Sequence, residues 1–124
     1  KLFKSAFTNE VFNLNNRGNH FRDFTYIGDI FNLIKNLLKK NTKKHEVYNF
    51  SSNNPIDITK IVKWVQKDYK IKIKLRPLQR ADIVKTHGSN KKIINITNYK
   101  NFMDIRSGFD LTLNWYKEKK IFKY

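Results

Sequence analysis

A chain of 124 residues, 40% hydrophobic and 15% aromatic, can build one small hydrophobic core, which excludes wholesale disorder. No cysteine is present, so a disulfide framework and thiolate chemistry are excluded, and no apolar run approaches the ~20 residues of a membrane-spanning helix. The formal net charge is +16, from 26 basic and 10 acidic residues, and charge of that size attracts polyanions.

Of the basic residues 21 are Lys and five are Arg, and the lysines are scattered beside abundant Asn and Ile. That pattern reads as an adenine- and thymine-rich coding bias in which Lys fills solvated positions. A dedicated nucleic-acid function is therefore the lesser reading. The N-terminal stretch is too short and interrupted for a signal peptide. Its lack of an initiator Met suggests a chain cut from something longer. The expected location is cytoplasmic, and the expected organisation is a single partial domain over residues 1–124.

Residues 1–8 read as a helix tail with Leu2, Phe3, Ala6 and Phe7 on one side. A short strand is predicted over 10–15, then a turn at 16–19, since Asn and Gly tolerate positive φ. The run from Phe21 to Ile30 reads as an aromatic strand turning into a helix, with Phe24 and Tyr26 on one strand face and Arg22 beside them. Gly28 permits the turn, and Asp29 puts a negative charge near the helix N-terminus, where the dipole favours it. An arginine on a rigid strand next to a glycine turn suits an anionic group. A solvated arginine at a strand–helix junction is the bland alternative.

The spacing of Ile30, Leu33, Ile34, Leu37 and Leu38 predicts a helix over 29–40, with Lys39 and Lys40 in its last turn and a polar loop at 41–44. A strand is predicted over 46–50, broken by 51–55. A helix follows over 57–68 with a stripe of Ile58, Ile61, Val62, Val65 and Tyr69, Trp64 on its flank. Residues 71–75 alternate and read as a half-buried strand, whose exposed lysines discourage edge pairing. Residues 76–89 read as loop, with an extended piece at Ile83 and Val84. A short helix is predicted over 90–96, a connection over 99–103, and a last helix over 104–120. Asp104 is its cap, and Ile105, Phe109, Thr112, Leu113 and Tyr116 face inward.

Several chemistries are missing. The four glycines, Gly18, Gly28, Gly88 and Gly108, cannot form the G-x-G-x-x-G of a dinucleotide fold. His20, His45 and His87 lack metal-ligand spacing. Tyr116 and Lys120 fit a Tyr-x-x-x-Lys spacing, but in a lysine-rich helix the match reads as coincidence. No Gly-x-Ser-x-Gly elbow and no general-acid pair stand out.

The stretch Asn16-Arg17-Gly18-Asn19-His20-Phe21-Arg22-Asp23-Phe24-Thr25-Tyr26-Ile27-Gly28-Asp29-Ile30 resembles a signature of nucleotide-sugar epimerases and dehydratases. These are extended short-chain dehydrogenase/reductases, and the UDP-glucuronate 4-epimerases are the most similar branch. The similarity continues through Val47-Tyr48-Asn49-Phe50 and Pro77-Leu78-Gln79-Arg80-Ala81-Asp82-Ile83 to Asn114-Trp115-Tyr116-Lys117. The resemblance implies an α/β fold: the C-terminal, substrate-binding portion of such an enzyme, lacking most of the Rossmann sheet.

The resemblance also implies roles. Arg22 matches the arginine that binds the substrate diphosphate, and a guanidinium fork suits phosphate oxygens. Asp82 matches the acid that accepts hydrogen bonds from the ribose hydroxyls, with Gln79 on the same loop. Arg80 stands where the family has a proline and would add a second phosphate contact, while Ala81 stands where it has a glycine. Asn15 sits where relatives carry an aromatic against the base, and its amide would reach a uracil edge instead. Gly28 stands where relatives have an acid. The implied partners are a UDP-sugar substrate and an N-terminal half that binds NAD and holds the catalytic residues, with a homodimer of the full-length parent also allowed. NAD is not bound by this chain alone, no catalytic residue is assigned within it, and no membrane is involved.

Without the sheet on which the 29–40 helix and 46–50 strand would pack, an exposed apolar face is expected along Ile30, Phe31, Ile34 and Val47. Weak stability or self-association would follow. The alternative function is a small basic module binding nucleic acid or another polyanion through a stripe of Arg17, Arg22, Lys72, Lys74, Arg76 and Arg80.

Overall fold

The computed structural model describes residues 1–41 and 44–121; the polar loop expected at 41–44 lies partly outside them. Among the described residues the order is α1 (Leu2–Thr8), β1 (Phe12–Leu14), β2 (Phe21–Asp23), α2 (Ile27–Leu37), β3 (Pro55–Asp57), α3 (Ile58–Asp68), β4 (Ile73–Leu75), α4 (Lys91–Thr97) and α5 (Ile105–Lys119). A 3-10 turn, Asn15–Gly18, joins β1 to β2.

The helices follow their apolar spacing and their caps. Asp57 precedes α3 and accepts from the Thr59 amide at 2.7 Å, so one orphan donor of the first turn is satisfied. Ile61, Val62 and Val65 of that helix are buried, as its stripe predicts. Asp104 caps α5 in the same way, taking the amides of Arg106 and Ser107. The last turn of α5 carries Lys117 and Lys119, which complement the dipole. No helix is long and apolar enough to cross a membrane among the described residues.

The strands form two small sheets. β1 lies parallel to β4, with Phe12 opposite Ile73 and Leu14 opposite Leu75. β2 runs antiparallel to β3, with Arg22 opposite Ile56. Pro55 opens β3, where a missing amide costs no ladder bond. No larger sheet exists among the described residues, as expected for a portion that lacks the Rossmann sheet.

Two cores result. Leu33 of α2 and Ile93 of α4 are fully buried where those helices pack together. On the other side an aromatic cluster joins α1, α3 and α5. Phe3 packs on Phe109 and Tyr116, Trp64 meets Phe109 edge-on, and Phe7 meets Tyr69. Tyr116 is thus a packing residue, which agrees with reading its spacing to Lys120 as coincidence.

Several elements differ from expectation. No strand forms over 46–50, because a strand needs a neighbour and no described residue pairs with it. Lys92 instead holds this segment, donating to the Glu46 carboxylate and the Val47 carbonyl and lying over the Tyr48 ring. β2 ends at Asp23, so Phe24 and Tyr26 do not share a strand face. α2 begins at Ile27, which places Gly28 inside its first turn instead of before it, and it ends at Leu37, short of Lys39 and Lys40. The Tyr26 ring explains the glycine: it lies between Gly28 and Gly108, where added Cβ atoms would sit 2.7 and 3.3 Å from ring carbons.

Asp29 is buried in the first turn of α2. It accepts from the Tyr99 hydroxyl at 2.7 Å and from the Met103 amide at 3.0 Å, tying α2 to the 99–103 connection. Burial first, then the hydrogen bond and charge of Asp29, push the Tyr99 hydroxyl above its ordinary pKa.

The helix α2 buries only one side of its apolar surface. Ile27, Phe31, Ile34 and Leu38 are exposed, at 70%, 66%, 43% and 81%, and Val47 is exposed at 70%. The expected face is present, but Ile30 is only half-exposed, and Ile27 and Leu38 replace it. The shift follows from the helix starting earlier and from Leu33 taking the inward position. Leu33→Ala should therefore cost about 2–5 kcal/mol, measured by urea unfolding, while Leu38→Ala should change the midpoint little. Equal effects would contradict this assignment of faces.

Candidate functional site

The main chain gathers the candidate residues. β1 and β4 continue their pairing past the strand ends: the Arg76 amide donates to the Leu14 carbonyl, and the Arg17 and Asn16 amides donate to the carbonyls of Arg76 and Pro77. This sets Asn15, first residue of the 3-10 turn, against the start of the 76–86 loop. Three consecutive residues in that turn have positive φ, Asn16 at 48°, Arg17 at 52° and Gly18 at 88°. An added Cβ at Gly18 would meet Thr59 at 2.7 Å, so glycine is required there on two grounds.

Within the loop, Gln79 and Asp82 close a tight turn. The Asp82 amide donates to the Gln79 carbonyl at 3.0 Å, and the Gln79 amide donates to Asp82 Oδ2 at 3.1 Å. One carboxylate oxygen is thus spent on shaping the turn, which leaves Oδ1 as the outward acceptor. Arg80 is exposed at the tip of this turn. Its neighbour Ala81 occupies the turn without positive φ, so the glycine of the family pattern is not needed for this backbone.

The loop then returns along β2. The Phe21 amide donates to the Val84 carbonyl at 2.8 Å, and the Thr86 amide donates to the Phe21 carbonyl at 3.1 Å. Residues Ile83 and Val84, expected to be extended, lead into this bridge, which pairs Phe21 with Lys85 in parallel. Arg22 Nη1 donates to the carbonyls of Phe21, at 2.8 Å, and Val84, at 3.2 Å. Both Nη1 protons are engaged, which fixes the plane of the guanidinium. Its Nε–Nη2 edge, the pair of donors that grips an oxyanion side by side, has no acceptor among the described residues.

Asn15, Arg22, Gln79, Arg80 and Asp82 therefore flank one loop system that runs from the β1–β4 pair to β2. Among the described residues no ion pair joins Arg22 or Arg80 to Asp82. Arg22 and Asp82 each keep a donor or acceptor without a protein partner among the described residues, and Arg80 is exposed. An apolar cleft of about 590 Å³ lies elsewhere, lined by Phe3, Phe12, Phe24, Ile61 and Phe109 among others, and contains none of the five. The cleft is lined mostly by apolar side chains, with Lys1, Thr25, Tyr26, Asp104 and Thr112 as its polar members.

Sequence reasoning missed the residue that holds the system in place. Asp23, next to Arg22, accepts from the Ser52 hydroxyl at 2.6 Å and the Asn54 amide at 3.4 Å through Oδ1, and from the Gly88 amide at 3.1 Å through Oδ2. Its own amide donates to the Thr86 hydroxyl at 3.2 Å. Ser51 reinforces the join by donating to the Gly88 carbonyl at 2.8 Å. By sequence the run Ser51-Ser52-Asn53-Asn54 reads only as a strand breaker. A carboxylate beside a cluster of small donors was the available signal, but pairing them needs the fold.

Burial pushes the Asp23 carboxyl up, yet the hydrogen bonds from Ser52, Gly88 and Asn54, with the charge of His87, outweigh it and hold its pKa below the ordinary 3.8. Because the folded value is depressed, the stabilisation is present above pH 3.8 and is lost as pH falls through the folded value. His20 is buried with Nε2 unpartnered, and no cluster of metal-ligating residues occurs among the described residues.

Asp23→Asn should lower stability by about 1–3 kcal/mol at neutral pH, read by chemical unfolding. The variant should also lose the part of the acid sensitivity below pH 3.8 that Asp23 supplies. An unchanged midpoint would remove Asp23 as the keystone.

No family model matches the chain. Over 122 residues it is 29% identical to an uncharacterised protein of Methanocaldococcus jannaschii, covering 97% of this chain and 37% of that protein. It is 30% identical over 121 residues to UDP-glucuronate 4-epimerase 5 of Arabidopsis thaliana, covering 86% of this chain and 28% of that protein. Among solved structures, MoeE5 in complex with UDP-glucuronic acid and NAD superposes with a TM-score of 0.87 at 13% identity, covering 95% of this chain and 40% of that one. UDP-glucuronic acid 4-epimerase from Bacillus cereus, in complex with UDP-glucuronic acid and NAD, gives 0.81 at 20% identity, covering 95% and 38%. In fold, then, the chain is similar to part of the extended short-chain dehydrogenase/reductases among these NAD-complexed nucleotide-sugar enzymes, and it spans 28% to 40% of the length of the proteins it matches.

Proposed function

We propose that this chain is the C-terminal, substrate-binding portion of a nucleotide-sugar 4-epimerase of the UDP-glucuronate type. The observation that carries the reading is Arg22: two main-chain carbonyls fix its guanidinium, and its oxyanion-gripping edge is left open. A rigid fork loses little freedom when a diphosphate arrives, so more of each charge-assisted hydrogen bond appears as affinity. Asp82 then accepts from the ribose hydroxyls, with Oδ1 free of protein donors among the described residues while Oδ2 also takes the Gln79 amide. Arg80 at the tip of the turn adds a cation, and the Asn15 amide faces the base edge without stacking.

The residues present do not fit a dinucleotide. The chain has no glycine-rich strand–helix turn, and its glycines stand at Gly18, Gly28, Gly88 and Gly108. NAD belongs with a separate N-terminal part, where it would supply the oxidation and reduction at C4 of the sugar. The role of this chain is to bind and orient the nucleotide handle. The exposed apolar row of Ile27, Phe31, Ile34 and Leu38 supports such an arrangement, because packing a nucleotide-binding part on it would remove that surface from water. A dehydratase of the same type would use the same handle.

One observation favours a second reading. Lys72, Lys74 and Arg76, all exposed, alternate through β4 and the residues on either side of it, the start of a basic row suited to a polyanion.

Calorimetry with UDP separates the two. Arg22→Ala should weaken UDP binding by about tenfold or more, as expected for a charge-assisted pair. Binding of duplex DNA that falls steeply with salt, with no affinity for UDP, would favour the basic module and sink the substrate-binding reading.

A further inference from the structure

Of the five arginines, three are engaged by protein acceptors. Arg22 is held by two carbonyls, Arg76 Nε donates to Asn13 Oδ1, and Arg106 Nε pairs with Asp110. Arg17 and Arg80 are exposed and have no acceptor among the described residues. Both border the same loop: Arg80 sits at the tip of the 79–82 turn, and the Arg17 amide donates to the Arg76 carbonyl three residues before that turn begins.

Arg17 is also the more strained of the two. Its φ of 52° lies in the left-handed region, between Asn16 at 48° and Gly18 at 88°. Asn and Gly enter that region readily, but the Arg17 side chain makes no local hydrogen bond among the described residues to offset it. Nothing in the packing demands a long side chain here, since Arg17 is exposed and makes no side-chain contact with an acceptor. Strain held by an exposed charged residue beside a ligand loop is the pattern expected where function opposes local stability.

We propose that Arg17 is a further anion contact of the nucleotide-sugar site, in addition to Arg22 and Arg80, held beside the Arg76–Pro77 end of the loop by the left-handed turn. The inference rests on the substrate-binding reading above. A nucleoside diphosphate carries more negative charge than one guanidinium edge can serve, so an additional cation has a ligand to meet. The chemistry asked of Arg17 is ionic hydrogen bonding to phosphate oxygens, with no proton or bond transferred.

The test is calorimetry of the 124-residue chain with UDP and with uridine, together with thermal melts. Arg17→Gly should weaken UDP binding by about tenfold while uridine binding is unchanged, the loss expected for one charge-assisted contact. Its melting temperature should not fall, because glycine accepts the left-handed backbone. Arg17→Asn, which also tolerates that backbone, should show the same loss. Lys67→Ala, a charge removed from α3, should leave UDP affinity within twofold. The proposal is overturned if Arg17→Gly binds UDP within twofold of the parent chain, or if Lys67→Ala loses as much. Unchanged affinity in Arg17→Gly with loss in Arg22→Ala overturns this inference alone. A parent chain that binds no UDP removes the substrate-binding reading and this inference together.

Discussion

The Asp23 carboxylate is the constraint on which the rest of the arrangement depends. It gathers β2, the 51–54 segment and the 86–90 segment at one point, through donors that are far apart along the chain. Neither of the two small sheets could hold these loops by itself, since each has only two short strands. A charged acceptor with three donors is strong enough to substitute for the missing sheet neighbours. Because Asp23 follows Arg22 directly, the same join that closes the loops also orients the arginine.

Arg22 illustrates how the backbone fixes a side chain. The Val84 carbonyl accepts from both the Phe21 amide and the Arg22 guanidinium, so the loop and the side chain share one acceptor. Movement of the loop would therefore move the arginine. On the proposed substrate-binding reading, this coupling would hold a ribose contact on the loop and a phosphate contact on β2 at a fixed separation.

Much of this was legible in the residues. The helices α3 and α5 announced themselves by spacing and by Asp57 and Asp104, because caps and periodicity are local signals. The family signature around Arg22 and the 77–83 stretch pointed to the same loop system that the backbone assembles. What could not be read were the long-range partners. The buried Asp29 looked like a dipole residue, yet its carboxylate serves Tyr99 and Met103. The 46–50 segment had strand character, but strand formation depends on a neighbour that local pattern cannot supply. The role of Asp23 was hidden for the same reason, as its donors come from segments that read only as turns.

The parallel ladder between β1 and β4 has a kinetic corollary. Phe12 and Ile73 must meet across most of the intervening chain, and the Arg22–Val84 bond spans 62 residues. Closing loops of that length costs entropy before any ladder bond repays it, whereas α3 and α5 draw on neighbours a few residues away. The order of assembly that follows has the helices first and the β1–β4 ladder with the Arg22–Val84 join last, so the long-range pairing is the step that limits how fast the polypeptide matures.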